Sequence, residues 1–120
     1  MATPTFRGCR NIALKLPARL YAETLGFYRD VLGLAVLHEG ESGAVIDLGP
    51  VRLWLDRVPH QSQPDLWLEL MVDDTAAAER HLAEHGILRC DEVEKLPDGF
   101  DAFWIAAPAG TIHLVSTDEG

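Results

Sequence analysis

A few polar and aromatic side chains are set at alternate positions within short apolar segments, and these are where chemistry can reside: Asn11, Lys15, Arg52, Trp54, Trp67, Glu69, Thr111 and His113. Glu69 has the makings of a general base in an apolar surround, or of an ion-pair partner for Arg52 or Lys15. His113 suits a ligand-bonding group or general base near neutral pH, or a histidine satisfied by a neighbouring side chain. These two are the catalytic candidates. Arg52 offers a planar fork for a carboxylate or phosphate, unless Glu69 already occupies it. Trp54 and Trp67 offer stacking walls for a flat ligand, or simple core filling. Trp104 lies on a strand that can face either way. Asn11, Arg52, Trp54, Trp67, Glu69 and His113 form the expected ligand-binding set.

These residues need strands to align them. Ile12, Leu14 and Leu16 alternate with Asn11, Ala13 and Lys15, the period of a strand with one buried face, and Pro17 ends it. The period then changes. Tyr21, Leu25, Tyr28 and Leu32 form one stripe of a helix over 18–32, with Gly33 placed for a left-handed C-cap. Strands are predicted at 34–39, 44–48 and 51–56, with turns at Glu41-Ser42-Gly43 and Gly49-Pro50. Residues 58–64, with two prolines and two glutamines, read as a linker. The order then repeats: a strand at 66–72, a helix at 75–85 capped by Asp73 or Asp74, and strands at 87–96, 100–106 and 111–116.

The expected fold is α+β, one domain over residues 1–120 built from two tandem βαβββ modules, about 6–57 and 65–118, whose mixed sheet curls around a central cavity. One face of each module's sheet goes under its helix and takes Ile12, Leu14, Leu16, Val51, Leu53, Leu55, Leu66, Leu68, Leu70, Ile112 and Leu114. The opposite face carries the chemistry. Two tryptophans are out of place on a face exposed only to water. Arg, Glu, Asn and His are out of place in a sealed core without partners. A concave face that grips a ligand accommodates both.

With a formal net charge of −9, the surface repels phosphate backbones, so neither nucleic acid nor an anionic membrane is an expected partner. No apolar run reaches membrane-spanning length, and the first seven residues lack a signal-peptide core, which predicts a cytoplasmic protein. Cys9 and Cys90 have no C-x-x-C spacing and are expected to pack as small residues. His81 and His85 share a helix face, but Leu82 stands where a metalloprotease helix needs Glu, so the pair is expected in solvent. His38 and His60 fall at a strand end and in the linker, and no phosphate loop or nucleophile elbow is present.

The segment NIALKLPARLYAETLGFYRDVLGL resembles the first module of the vicinal oxygen chelate superfamily, which includes glyoxalase I, bleomycin-resistance proteins and extradiol dioxygenases. FYRDVLGL at 27–34 is its most specific element, LELMVDDTAAAERHLAEHGI is similar to the second-module counterpart, and APAGTIHLVS to the closing hairpin. The resemblance covers nearly the whole chain. It implies that catalytic members hold a divalent metal with residues from the first and last strands of each module. Carried over, those positions are Asn11, Arg52, Trp67 and His113. Trp cannot ligate such a metal and Arg opposes its charge. The resemblance therefore implies the fold, and the residues argue against the metal. It also implies a homodimer. The expected function is metal-free binding of a small organic molecule, with no cofactor. The alternative is a metal-dependent lyase, isomerase or dioxygenase with His113, Glu69 and His60 or Asp47 converging on a divalent metal. A metal-free enzyme using Glu69 or His113 is a third reading.

Overall fold

Ile12, Leu14 and Leu16 make their strand because an alternating apolar face has a helix to cover it. A computed structural model describes residues 4–117. In chain order its elements are β1 (Phe6–Gly8), β2 (Asn11–Leu16), α1 (Ala18–Gly26), β3 (Val36–Glu39), β4 (Gly43–Asp47), β5 (Arg52–Arg57), β6 (Asp65–Val72), α2 (Thr75–Glu84), β7 (Ala102–Ala106) and β8 (Ile112–Ser116). The fold class is α+β, as expected. No helix among the described residues is long and apolar enough to cross a membrane.

The chain forms two compact units. One comprises residues 10–67; the other joins residues 4–9 to 68–117. In the first unit β2 runs parallel to β5, with Asn11 opposite Arg52 and Lys15 opposite Asp56. On the other side of β2, the start of β6 pairs antiparallel, placing Trp67 opposite Ala13 and Asp65 opposite Lys15. Strands β4 and β3 extend the sheet antiparallel from β5. Leu16, Leu53, Leu55, Ala44 and Ile46 pack with Tyr21 and Leu25 of α1, and Ile12 and Leu14 join them. Each leucine or isoleucine among them contributes about 1.5–3 kcal/mol when fully buried. Gly43 sits tightly in this sheet: a Cβ there would collide with the carbonyl oxygen of Leu55.

The helix predicted over 18–32 changes pitch partway. Residues 18–26 are α-helical and Phe27–Val31 form a π turn. The N–H of Leu32 donates to the carbonyl of Phe27 at 3.0 Å, five residues back. Gly33 then takes the left-handed conformation (φ 68°) that ends the turn.

In the second unit, β6 pairs antiparallel with the short β1 and parallel with β8, which pairs antiparallel with β7. Asp74 caps α2 by accepting the N–H of Ala77 at 3.2 Å. Val72, Ala78, Phe103, Ile105 and Val115 form the core, joined by Phe6, Leu70, Leu82 and Ile87.

Three expectations are corrected by the structure. Residues 87–96 do not form a strand; they make one bridge, Arg89 to Ile105, and a 3-10 turn at Asp91–Val93. The carboxylate of Asp91 accepts the N–H of Trp104 at 3.1 Å, so a side chain takes the place of a strand carbonyl. The face of β8 is also reversed. Val115, not Ile112 or Leu114, enters the helix-covered core. Leu66 and Leu68, expected under the helices, are 51% and 37% exposed.

Candidate functional site

In the first unit, the sheet face turned away from α1 carries Asn11, Ala13 and Lys15 from β2, Arg52, Trp54 and Asp56 from β5, and Asp65 and Trp67 from β6. The in-register parallel pairing of β2 and β5 is what puts Asn11 beside Arg52. Trp54, one strand repeat further along, donates its indole N–H to Asn11 Oδ1 at 2.9 Å. That bond fixes the ring's orientation. At the other end of β2, Lys15 Nζ donates to Asp56 Oδ2 at 2.7 Å and lies 4.4 Å from the centroid of the Trp67 ring. Trp67 in turn donates its indole N–H to Asp65 Oδ2 at 2.9 Å. Asn11, Lys15 and Trp67 are buried, at 7%, 4% and 8% exposure.

Arg52 differs from Lys15. It is partly buried, and its main-chain N–H donates to the carbonyl of Arg10. Its guanidinium has no hydrogen bond or ion pair among the described residues. Asp47 is its cross-strand neighbour, but that carboxylate accepts the Gly49 N–H at 2.8 Å in a tight turn. The face thus holds two cations, one paired to a carboxylate and one not.

In the second unit, Glu69 lies beside Leu114, and Leu114 beside Trp104, so these three share a face. Cys9 Sγ donates to Glu69 Oε1 at 3.1 Å. Trp104 is buried and donates its indole N–H to the Glu94 carbonyl at 2.9 Å. His113 pairs with Leu68 and with Ile105, a member of the α2 core. It therefore faces the α2 side, opposite to Glu69, which corrects the expected placement of the two on one face. One residue of register exchanges the faces of a strand. The run Ile112-His113-Leu114-Val115 has apolar residues at both parities, so alternation alone did not determine which face was inside. His113 Nδ1 lies 3.0 Å from the carbonyl oxygen of Thr111.

Cys9, Asp56 and Asp65 were not among the expected site residues. For Asp56 the signal existed, because it alternates with Arg52 and Trp54. Asp65 precedes the predicted start of its strand, and nothing local singles out Cys9. The rings of His81 on α2 and His85 at its C-cap lie 4.6 Å apart, and His85 Nδ1 lies 2.9 Å from the His81 carbonyl oxygen.

These residues do not fit a divalent metal. Arg52 carries a positive charge, and the Trp67 indole nitrogen is a donor already committed to Asp65. Glu69 and His113 lie on opposite faces of their sheet. No three His, Cys, Asp or Glu side chains gather as a metal would require among the described residues.

A family model described as a glyoxalase-like domain matches residues 12–115. Among solved structures, a hypothetical protein (BH1468) from Bacillus halodurans C-125 superposes with a TM-score of 0.66 at 13% identity, over 93% of this chain and 94% of that one. A glyoxalase/bleomycin resistance protein/dioxygenase superfamily member from Vibrio splendidus 12B01 gives 0.64 at 20% identity, over 95% of this chain and 100% of that one. Homoprotocatechuate 2,3-dioxygenase from Brevibacterium fuscum, as its E323L mutant, gives 0.65 at 23% identity over 97% of this chain; the match spans 33% of that enzyme. No curated protein matches this sequence.

Proposed function

This chain belongs to the glyoxalase-like domain family, and from that premise we propose that it binds a small organic molecule without a metal ion. The observation that carries the reading is the Asn11–Arg52 pair, side by side in register on β2 and β5. Those are positions from which metal-dependent relatives are expected to take ligands, and here one of them is a cation. Two indoles flank the same face, each with its N–H already bonded to a side chain of the protein. Trp67 is buried with Lys15 over its ring, and the partly exposed ring of Trp54 is the aromatic surface left to a ligand. A cation beside a fixed aromatic ring binds and orients a molecule. It supplies no Lewis acid. Sequestration rather than turnover is the activity this assigns, and the pairing of two chains is part of the same proposal.

The test is metal analysis of the purified protein, followed by a thermal-shift screen of small organic molecules in the presence of a chelator. Metal well below one per chain, with ligands that raise the melting temperature despite the chelator, is the expected result. Stoichiometric metal, with binding abolished by the chelator, overturns the proposal. Sedimentation at micromolar concentration reads out the dimer.

A further inference from the structure

Resting on that reading, we infer that the ligand is a flat aromatic monocarboxylate, its acid group gripped by Arg52 and its ring laid against Trp54. The chain has 19 acidic and 10 basic residues apart from histidine, so a partly buried cation that makes no ion pair goes against the composition. Lys15, on the same face, has its carboxylate at 2.7 Å. Arg52 has none, and its neighbour Asp47 accepts from the Gly49 amide. A partly buried guanidinium is weakly screened, which strengthens whatever anion it meets. Its planar fork matches a carboxylate with two parallel hydrogen bonds.

The number of charges narrows the class. One unpaired cation matches one negative charge. A phosphate dianion would bring a second charge to a chain already at −9.

The geometry adds the ring. Arg52 and Trp54 are two residues apart on β5, so their side chains share a face about 7 Å apart along the strand. The bond from the indole N–H to Asn11 Oδ1, across from Arg52, holds the ring in one orientation. A fixed aromatic plane one strand repeat from a free fork is the spacing of a carboxyl group attached to one or two fused rings.

The experiment is calorimetric titration of the full chain with benzoate and 2-naphthoate, each beside its neutral amide, benzamide and 2-naphthamide. The acids are expected to bind about tenfold or more tightly than the amides, as loss of a charge-assisted hydrogen bond requires. In Arg52→Met that preference disappears while amide binding is kept. Arg52→Lys keeps the charge without the fork and retains part of the preference, and it stands in should Arg52→Met fail to fold. Acids and amides binding equally to the native protein, or an acid preference surviving in Arg52→Met, overturns the inference and leaves metal-free binding standing. So does a chelator-treated screen that yields only cationic or uncharged ligands. A screen that yields no ligand of any class removes both.

Discussion

Lys15 Nζ stands 2.7 Å from Asp56 Oδ2, with the lysine side chain 5% exposed and the aspartate side chain 28% exposed. Parallel, in-register pairing of β2 with β5 sets the two residues side by side. Burying an ammonium is costly unless a carboxylate compensates. Asp56→Asn keeps the shape and removes that compensation. It is expected to lower stability by about 1–3 kcal/mol, less than a fully buried pair because water reaches the aspartate. Lys15→Met removes the buried charge itself and is expected to cost less. Urea unfolding of both variants checks the order; a larger loss for Lys15→Met contradicts it.

Gly43 is required by a close approach of two strands. A Cβ there collides with the Leu55 carbonyl, whereas one at Gly40 meets only the His38 ring, at 3.6 Å. Gly43→Ala is expected to cost about 2 kcal/mol or more. Gly40→Ala is expected to be close to neutral. Thermal melts of the pair, one turn apart in sequence, separate steric exclusion from a general effect of losing glycine.

Much of the scaffold was legible because its signals are local. The alternation through Ile12, Leu14 and Leu16 marks β2, and Asp74 is one of the two residues expected to cap α2. The misses are places where local signals tie. Residues 87–96 contain the apolar residues Ile87, Leu88, Val93 and Leu96 without a clear period, and Asp91 supplies the bond to Trp104 that a strand backbone would have supplied. Strand β1, three residues long, is too short for any period to show. The face of His113 is not legible in the sequence, because Leu114 and Val115 are both apolar. Asn11, Arg52 and Trp54 were legible as a set, since three residues on two regular strands keep their parity. That Arg52 lacks a partner was not legible, because it depends on Asp47 turning to the Gly49 amide.

The cap on α2 is a test of that local reading. Asp74→Ala removes the acceptor of the Ala77 N–H and is expected to cost about 1 kcal/mol. Asp73→Ala, one residue earlier, is expected to leave stability almost unchanged. Equal losses in the two variants would mean that the capping bond contributes nothing.

Cys90 supplies a pH test. Burial pushes its thiol above the ordinary value, and the charges of Glu92 and Asp91 push it further. The folded chain therefore holds the proton to higher pH than the unfolded chain does. Iodoacetamide at pH 8 is expected to modify Cys90 more slowly than an exposed cysteine, with the rate climbing only above the usual thiol range. Because the unfolded chain ionises first, this group lowers stability as pH rises through that range. Peptide mapping distinguishes Cys90 from Cys9. A rate at pH 8 equal to that of a free thiol would contradict the expectation.

Strand β1 pairs with β6 inside the unit formed mainly by residues 68–117, while Asp65–Trp67 pair with β2 inside the other unit. A backbone cut anywhere in 58–64 would thus give two fragments, each carrying a strand segment that the other one needs. Neither fragment is a finished repeat. The amino-terminal piece would take β1 away from its partner, and the carboxy-terminal piece would carry off one edge of β2. Reciprocal exchange of this kind makes the two units inseparable by a single cut. Co-expressed halves should complement each other where either alone is degraded.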